Sequence, residues 1–354
     1  MDLAPPDREA RRVDAVPSQA YIQVPLDPGE RMKRALVTGA AGQIGTELVV
    51  ALRERLGDAA VLATDLRDPG PDHPAVAGGP FRLLDCTDPG TLALRVREHR
   101  PDVVFHLAAL LSAVGESRPQ DAYRVNLGGL MNVLEAAREE GFAVFTPSSI
   151  AAFGPGTPPD PTPQDTVQRP TTMYGVTKVA GELLCDYYHL KFGVDTRGVR
   201  YPGLISHAAP PGGGTTDWAV EIFWAAVREG TYRCFLSHDV RLDMMYMPDA
   251  IRAALELMEA DPRTLKHRNA FNVTAMQVTP EQMARTIQER LPDFRMGYRI
   301  DPIRQAIAES WPRRLDDSAA REEWGWQPEF GLHETVEDML TQVTRATQPA
   351  HRAP

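Results

Sequence analysis

The chain has 354 residues, of which 43% are hydrophobic and 24% are charged, with a formal net charge of −10. This composition is typical of a globular protein with one large domain or two. The acidic balance argues against the clustered basic face that nucleic-acid binding requires, so we expect no nucleic-acid partner. No stretch approaches the roughly 20 apolar residues that span a bilayer, and no signal peptide is recognisable. We therefore expect a cytoplasmic protein, without a membrane partner, that acts on a small molecule.

Three cysteines stand at positions 86, 185 and 234. They are odd in number and lack the spacing of zinc ligands or of a disulfide framework. We expect reduced, structural thiols and no metal site.

The first 31 residues are rich in Pro, Asp and Arg and show no regular period, which predicts a disordered extension over 1–31. From Lys33 onward, short apolar runs alternate with longer amphipathic segments. The runs are RALVTG, AVLATD, FRLLD, DVVFHLAA, AVFTPSS and TRGVRYPG. Such alternation is typical of an α/β fold, a doubly wound parallel sheet of Rossmann type covered by helices on both faces. Ligands are expected at the carboxyl ends of its strands.

Three glycines, Gly39, Gly42 and Gly45, follow the first predicted strand and open a helix. The first permits a tight turn, the second lets the backbone approach a pyrophosphate, and the third lets the helix pack closely on the strand. Three glycines alone often mark no more than a turn, but the strand and helix around them favour a dinucleotide-binding loop.

Asp65 ends the second predicted strand, twenty residues after Gly45. A carboxylate there accepts hydrogen bonds from the adenosine ribose and repels a 2′-phosphate, which predicts NAD over NADP. Arg67 could accommodate that phosphate if it turned inward. Asp85, after the third strand, is a candidate for the adenine amine, although a helix N-cap within residues 86–88 competes equally.

The sequence offers a catalytic set in Ser149, Tyr174 and Lys178. Tyr174 and Lys178 stand four residues apart on a predicted helix, hence on one face, and Ser149 ends a strand that reaches the same crevice. Oxidising a secondary alcohol by hydride transfer needs a base for the hydroxyl proton. A free phenol is a poor base at neutral pH, but a nearby ammonium favours the phenolate. Ser149 would hold the substrate oxygen in place.

The division into domains is predicted from the loss of regularity after about Tyr201. We expect an NAD-binding Rossmann domain over 32–200, with a segment near 240–275 that returns to it. A smaller substrate-binding region would use 201–239 and 276–345, followed by a tail over 346–354. The glycines 212–214 are interpreted as a lid over the substrate, with a plain flexible loop as the alternative.

These motifs resemble the extended branch of the short-chain dehydrogenase/reductase superfamily, from about Lys33 to about Arg345. The resemblance includes TGxxGxxG, FHLAA, VNLGGLMNVLEAA and YxxxK. Within that branch the chain is most similar to the NAD-dependent L-threonine 3-dehydrogenase family, whose members resemble UDP-galactose 4-epimerase. Several long strings carry this similarity, among them SSIAAFGP, PGGGTTDWAVEIFWAAV and RQAIAESWPRRLDDSAAREEWGW.

The resemblance implies roles for particular residues. The cofactor would be held by Gly39, Gly42, Gln43, Ile44, Gly45, Asp65, Asp85, Leu107, Ala108, Ala109, Asn126, Tyr174, Lys178 and Pro202. The substrate would be contacted by Ser112, Ser148, Ser149, Tyr174, Gly214, Thr216 and Trp311, although Trp311 could equally be a core residue. His106 is expected to be buried beside the cofactor rather than catalytic.

The activity implied by the resemblance is oxidation of the L-threonine 3-hydroxyl with NAD⁺, giving L-2-amino-3-oxobutyrate and NADH. A homodimer is implied as well, packed through helices near 117–140 and 173–191. Two alternatives stay open. A nucleotide-sugar epimerase or dehydratase would share these motifs but usually carries an Asn after the sixth strand, where this chain reads RYPG over 200–203. A non-catalytic NAD-sensing protein usually lacks the Tyr or the Lys.

Overall fold

The structure is a computed structural model that describes residues 32–208 and 214–348. The predicted extension over 1–31, Gly212 and Gly213 of the predicted lid, and residues 349–354 of the predicted tail lie outside these residues. The last helix ends at Thr347, so it extends two residues into the segment expected to be a tail. In the part of the chain that is described, no helix combines the length and apolar character needed to span a membrane.

The strands alternate with helices from the first strand onward. The strands are β1 Ala35–Thr38, β2 Val61–Asp65, β3 Phe81–Leu83, β4 Val103–His106, β5 Ala143–Phe145, β6 Ser148–Ser149, β7 Thr196–Arg197, β8 Val199–Tyr201, β9 Gly203–Ile205, β10 Thr231–Cys234, β11 Leu242–Tyr246, β12 Phe271–Asn272, β13 Met276–Val278 and β14 Arg295–Tyr298.

The α-helices are α1 Gln43–Leu56, α2 Pro74–Ala77, α3 Pro89–His99, α4 Ser112–Ser117, α5 Pro119–Ala122, α6 Gly129–Glu140, α7 Met173–Phe192, α8 Trp218–Glu229, α9 Met247–Glu259, α10 Pro280–Arg290, α11 Pro302–Ser310, α12 Ser318–Trp324 and α13 Leu332–Thr347. A π-helical turn over Tyr123–Gly128 joins α5 to α6, and a 3-10 turn over Ile150–Ala152 follows β6.

The central sheet is six-stranded and parallel, in the order β3-β2-β1-β4-β5-β7. The strand order reverses between β1 and β4, and a ligand crevice forms outside the carboxyl ends of strands at such a point. The predicted doubly wound α/β fold is therefore confirmed. Beyond β7, the chain continues into β8, which pairs in parallel with β6 and β12. This second sheet sets Ser148 opposite Arg200 and Ser149 opposite Tyr201.

Helices cover both faces of the central sheet, which explains why its strands are continuous apolar runs rather than alternating ones. Val37 and Phe105 pack into one hydrophobic core with α1 and α9. Leu36 and Val104 point to the other face and pack with α3, α6 and α7. A separate core, built from segments of 205–246 and 276–343, joins α8, α10 and α13 to β11.

His267, outside the crevice, links its own segment to α12 and to the loop that carries Asp165. The Nδ1 atom of His267 lies 2.5 Å from an oxygen of Glu323 on α12, and its Nε2 lies 3.2 Å from an oxygen of Asp165. Burial lowers the pKa of His267, but the hydrogen bonds to both carboxylates outweigh it and leave the pKa raised. Because the pKa of His267 is higher in the folded than in the unfolded protein, its protonation stabilises the fold. This contribution is complete at pH values below the unfolded pKa of about 6.5 and is lost as the pH rises through the folded pKa.

We predict that His267→Gln flattens this part of the pH dependence, because the variant has no proton to lose there. Urea unfolding between about pH 6 and pH 8 measures it: wild type should lose stability relative to His267→Gln as the pH rises. The exposed His333 on α13 provides the control, and His333→Gln should keep the wild-type trend. Equal slopes for wild type and His267→Gln would contradict the prediction.

Candidate active site

The glycine loop between β1 and α1 is closed so tightly that its first and third glycines have no room for a side chain. Gly39 has a φ of +68°, and a Cβ atom on it would lie 2.8 Å from the backbone nitrogen of Ala108. A Cβ atom on Gly45 would lie 2.3 Å from the carbonyl oxygen of Gly39. Helix α1 therefore starts against the end of β1, with Gly42 at its N-cap. Its free N–H groups and positive dipole end are suited to a pyrophosphate.

Asp65 lies at the end of β2 beside this loop. Its Oδ2 accepts a hydrogen bond from the backbone N–H of Ala41 at 3.0 Å, and its Oδ1 accepts one from that of Arg67 at 3.3 Å. Both bonds orient the carboxylate at the carboxyl edge of the sheet, where a ribose of a bound dinucleotide would lie.

Hydrogen bonds near Asp85 show which residue caps helix α3. The side chain of Asp88 accepts the N–H of Gly90 and caps α3. Asp85 instead accepts hydrogen bonds from the backbone N–H and the hydroxyl of Thr87, at 2.9 and 2.8 Å, and stays exposed. The N-cap is therefore Asp88, and the adenine role of Asp85 stays a prediction.

The segment after β4 forms the next wall. The backbone N–H of Leu107 donates to the carbonyl of Thr38 at 3.1 Å, which holds residues 107–109 against the end of β1. The buried Asn126 accepts the N–H of Leu110 at 2.8 Å and donates to the hydroxyl of Thr177 at 3.1 Å. Asn126 thus joins this wall to α7, the helix of Tyr174 and Lys178.

The start of α7 packs directly on the turn that follows Ser149. A Cβ atom on Gly175 would lie 2.3 Å from the carbonyl oxygen of Ala151. The Thr172 side chain caps the helix by accepting the N–H of Gly175 at 3.1 Å. These contacts place the helix start that carries Tyr174 against the turn that follows Ser149.

Lys178 lies beside the Tyr174 ring and reaches the segment just before Ser149. Its Nζ is 5.4 Å from the centre of the Tyr174 ring and donates to the carbonyl of Pro147 at 2.6 Å. The Ser149 hydroxyl oxygen accepts the N–H of Ala151 at 3.2 Å, so its own proton stays available for a ligand. The arrangement can hold an alcohol oxygen beside the Tyr174 phenol, with the Lys178 ammonium close to the phenol ring.

His106 ends β4 and lines the same pocket as Lys178. Its Nδ1 is 2.9 Å from the Thr38 hydroxyl, and the side chain is buried. Burial, together with the charge of Lys178, lowers the pKa of His106 to about 3. The ring is therefore neutral at physiological pH and adds no second charge to the site.

The residues expected to contact substrate lie on several elements. Ser112 is buried and begins α4, whose Gly115 would bring a Cβ atom 3.9 Å from that of Tyr174. Trp311 packs on the apolar residues of the turn after Ser149. The N–H of Gly214 donates to Asp217 at 2.7 Å, which ties the end of the Gly-rich segment to the start of α8.

Ser148 differs from its neighbour. Adjacent side chains on a strand point to opposite faces, and the buried Ser148 hydroxyl donates to Glu182 in the interior. Sequence reasoning missed Glu182 and its partner Arg200, which pair at 2.9 Å. The available signal was a charged residue inside each of two apolar segments, since a buried charge needs a partner.

A dinucleotide fits the crevice on these observations. The loop from Gly39 to Gly45 approaches without side chains, the open N-terminus of α1 suits the diphosphate, and Asp65 suits a ribose. Pro202, also expected to contact the cofactor, is buried between the end of β8 and the start of β9.

The comparisons with known proteins agree with this geometry. A model of the NAD dependent epimerase/dehydratase family matches residues 35–274. An uncharacterized epimerase/dehydratase of Staphylococcus saprophyticus is 55% identical over 312 residues, which cover 88% of this chain and 97% of that protein.

Two solved structures are similar over nearly their whole length. The L-threonine dehydrogenase from Clostridium difficile is 50% identical with a TM-score of 0.88, covering 90% of this chain and 99% of that one. A monomeric L-threonine 3-dehydrogenase from a metagenome is 45% identical with a TM-score of 0.85, covering 89% and 100%. The protein is an NAD-dependent oxidoreductase, as the motifs predicted. Its chain belongs to the NAD-dependent epimerase/dehydratase family of extended short-chain dehydrogenases/reductases.

Proposed function

We propose that the protein is an L-threonine 3-dehydrogenase, which oxidises the 3-hydroxyl of L-threonine to give L-2-amino-3-oxobutyrate and NADH. Two similar structures carry that activity in their names. Ser149, Tyr174 and Lys178 supply the groups that oxidation of a secondary alcohol needs.

In the proposed mechanism, Ser149 donates a hydrogen bond to the 3-hydroxyl oxygen and fixes its direction. The Lys178 ammonium favours the ionised, phenolate form of Tyr174 as the base. This phenolate takes the hydroxyl proton as the carbon–oxygen double bond forms. When bound, NAD⁺ would supply the acceptor for the hydride from the threonine carbon that carries the hydroxyl. Asp65 and the loop from Gly39 to Gly45 hold the cofactor, while Ser112, Thr216 and Trp311 surround the amino acid.

The observation that carries the choice of substrate is the lack of an Asn in the segment RYPG over 200–203, whose last residue, Gly203, begins β9 in a closely packed place. A Cβ atom there would lie 2.4 Å from the sulfur of Met244 and 2.7 Å from the methyl carbon of Thr216. A nucleotide-sugar enzyme would use an Asn in this segment to hold the diphosphate. An Asn at Gly203 itself would have to displace the ends of the Met244 and Thr216 side chains, and without an Asn in this segment the site favours a small substrate.

The experiment compares substrates side by side. The purified protein with NAD⁺ should form NADH with L-threonine, followed by absorbance, and far less with L-serine, which presents a primary alcohol. UDP-hexoses should raise the melting temperature less than threonine with NAD⁺ does. Conversion of a UDP-hexose without threonine-dependent NADH would overturn the proposal.

We also propose a homodimer, built on an exposed apolar stripe along α7. Val176, Leu183, Tyr187 and Leu190 are 47, 61, 52 and 83% exposed. Their spacing of seven, four and three residues places them on one side of the helix. Burying this stripe against the same stripe of a second copy would remove apolar surface from water, which favours association.

The dimer is tested by charging the stripe. We expect the double variant Leu183→Glu, Leu190→Glu to have a monomer mass by light scattering, because two copies would bring four carboxylates into an apolar contact. Leu94→Glu is the control, since Leu94 is 49% exposed but lies on α3. A monomeric wild type would contradict the proposal.

A further inference from the structure

A buried ionic pair lies directly behind the catalytic crevice. The side chains of Glu182 and Arg200 are 7% and 8% exposed and form two parallel hydrogen bonds, at 3.1 and 2.9 Å. Removing two charges from water is costly, so a pair of this kind is weak evidence for stability and calls for another explanation.

Glu182 stands four residues after Lys178 and eight after Tyr174, so all three lie on one side of α7. Its carboxylate accepts four hydrogen bonds. The donors are two nitrogens of Arg200, the hydroxyl of Ser148 and the amide of Gln168, the last at 2.7 Å. The carboxylate is therefore held in one orientation by partners on three different segments.

Two of the contacts from α7 reach the residues just before Ser149. Lys178 donates to the carbonyl of Pro147, and Glu182 accepts the hydroxyl of Ser148. Arg200 lies across from Ser148 in the β6–β8 pairing, and both side chains donate to Glu182. Hydrogen bonds are directional in a way that apolar contacts are not, and they fix both the distance and the rotation of β6 relative to α7.

We propose that Glu182, oriented by Arg200, is a positioning residue that acts through Ser148 to hold Ser149 at its working distance from Tyr174. Neither charged group touches the substrate. A misplacement of about 1 Å in such a site costs on the order of 100-fold in rate. This inference rests on the proposed function in one respect, the use of L-threonine as the substrate of the kinetic assay.

The sharpest test is Ser148→Ala, which removes the link to β6 and leaves the ionic pair intact. We expect kcat with L-threonine to fall about 10-fold, while the KM for NAD⁺ and the melting temperature stay near wild type. Glu182→Gln should lower kcat by about 100-fold, but it also leaves Arg200 without its charge partner, so its melting temperature is measured alongside.

Tyr188→Phe is the matched control. Tyr188 lies on the same helix, is buried, and also donates a hydroxyl hydrogen bond to a carboxylate, that of Glu135. Tyr188 stands six residues after Glu182 on α7 and donates to Glu135 instead of to β6. Loss of its hydroxyl should therefore leave kcat unchanged. If Ser148→Ala keeps the wild-type kcat while Tyr188→Phe does too, the positioning role is overturned.

A second readout needs no substrate. Hydrogen exchange of the backbone amides of residues 148–152 should be faster in Ser148→Ala than in wild type or Tyr188→Phe. If the wild-type protein does not oxidise threonine, only the proposed function is rejected. The hydrogen-exchange result then decides whether Glu182 has the positioning role. Unchanged exchange in Ser148→Ala would reject it.

Discussion

Tyr174→Phe is expected to lower kcat for threonine oxidation by about 1000-fold while leaving NAD⁺ affinity close to wild type. A positioned base contributes on the order of 100-fold to 10,000-fold, and phenylalanine has no oxygen to take the proton. The ring itself remains, so the contact with Lys178 at 5.4 Å and the packing of α7 are retained. Steady-state NADH formation gives kcat, and calorimetric titration gives the NAD⁺ affinity.

Tyr187→Phe is the control for this loss. Tyr187 lies on the same helix but is 52% exposed, away from the crevice, and its variant should keep the wild-type rate. A Tyr174→Phe protein that folds, binds NAD⁺ and keeps more than about a tenth of the activity would show that another group takes the proton.

The central sheet and the placement of Tyr174 and Lys178 on one helix could be predicted because both depend on patterns within short segments. The apolar runs report strands buried on both faces, and Leu36 and Val37 do pack into different cores. Tyr174 and Lys178 needed only the helical spacing of four residues, which the structure retains within α7.

The support behind the site could not be predicted, because it depends on strand register. Glu182 and Arg200 are eighteen residues apart, and Ser148 is thirty-four residues before Glu182. Only the parallel pairing of β6 with β8 brings Ser148 opposite Arg200. A pattern within one segment carries no information about that pairing.

Two smaller points were decided by local geometry. Asp85 and Asp88 both precede α3, and only the bond from Gly90 identifies Asp88 as the cap. In the segment over 200–203 the sequence indicates that an Asn is missing, while the structure adds that the side chains of Met244 and Thr216 lie close to Gly203.

Gly45→Ala is expected to weaken NAD⁺ binding by at least about 100-fold and to lower stability by about 1–3 kcal/mol. The added Cβ would lie 2.3 Å from the carbonyl oxygen of Gly39 and 2.7 Å from the Cα of Ala40. Both are backbone atoms, so no side-chain rotation relieves the clash. Helix α1 must move away from β1, and its N-terminus then leaves the position from which it would hold the diphosphate.

Gly128→Ala separates this effect from helix propensity. Gly128 also has helical backbone angles, with φ −62°, but a Cβ atom there would meet nothing within 4 Å. Alanine is the better helix former by about 1 kcal/mol, so propensity alone predicts a gain at both positions. Urea unfolding and calorimetric NAD⁺ titration should instead show a gain at Gly128 and losses at Gly45. Equal behaviour of the two variants would mean that the close approach of α1 to β1 is not what requires the third glycine.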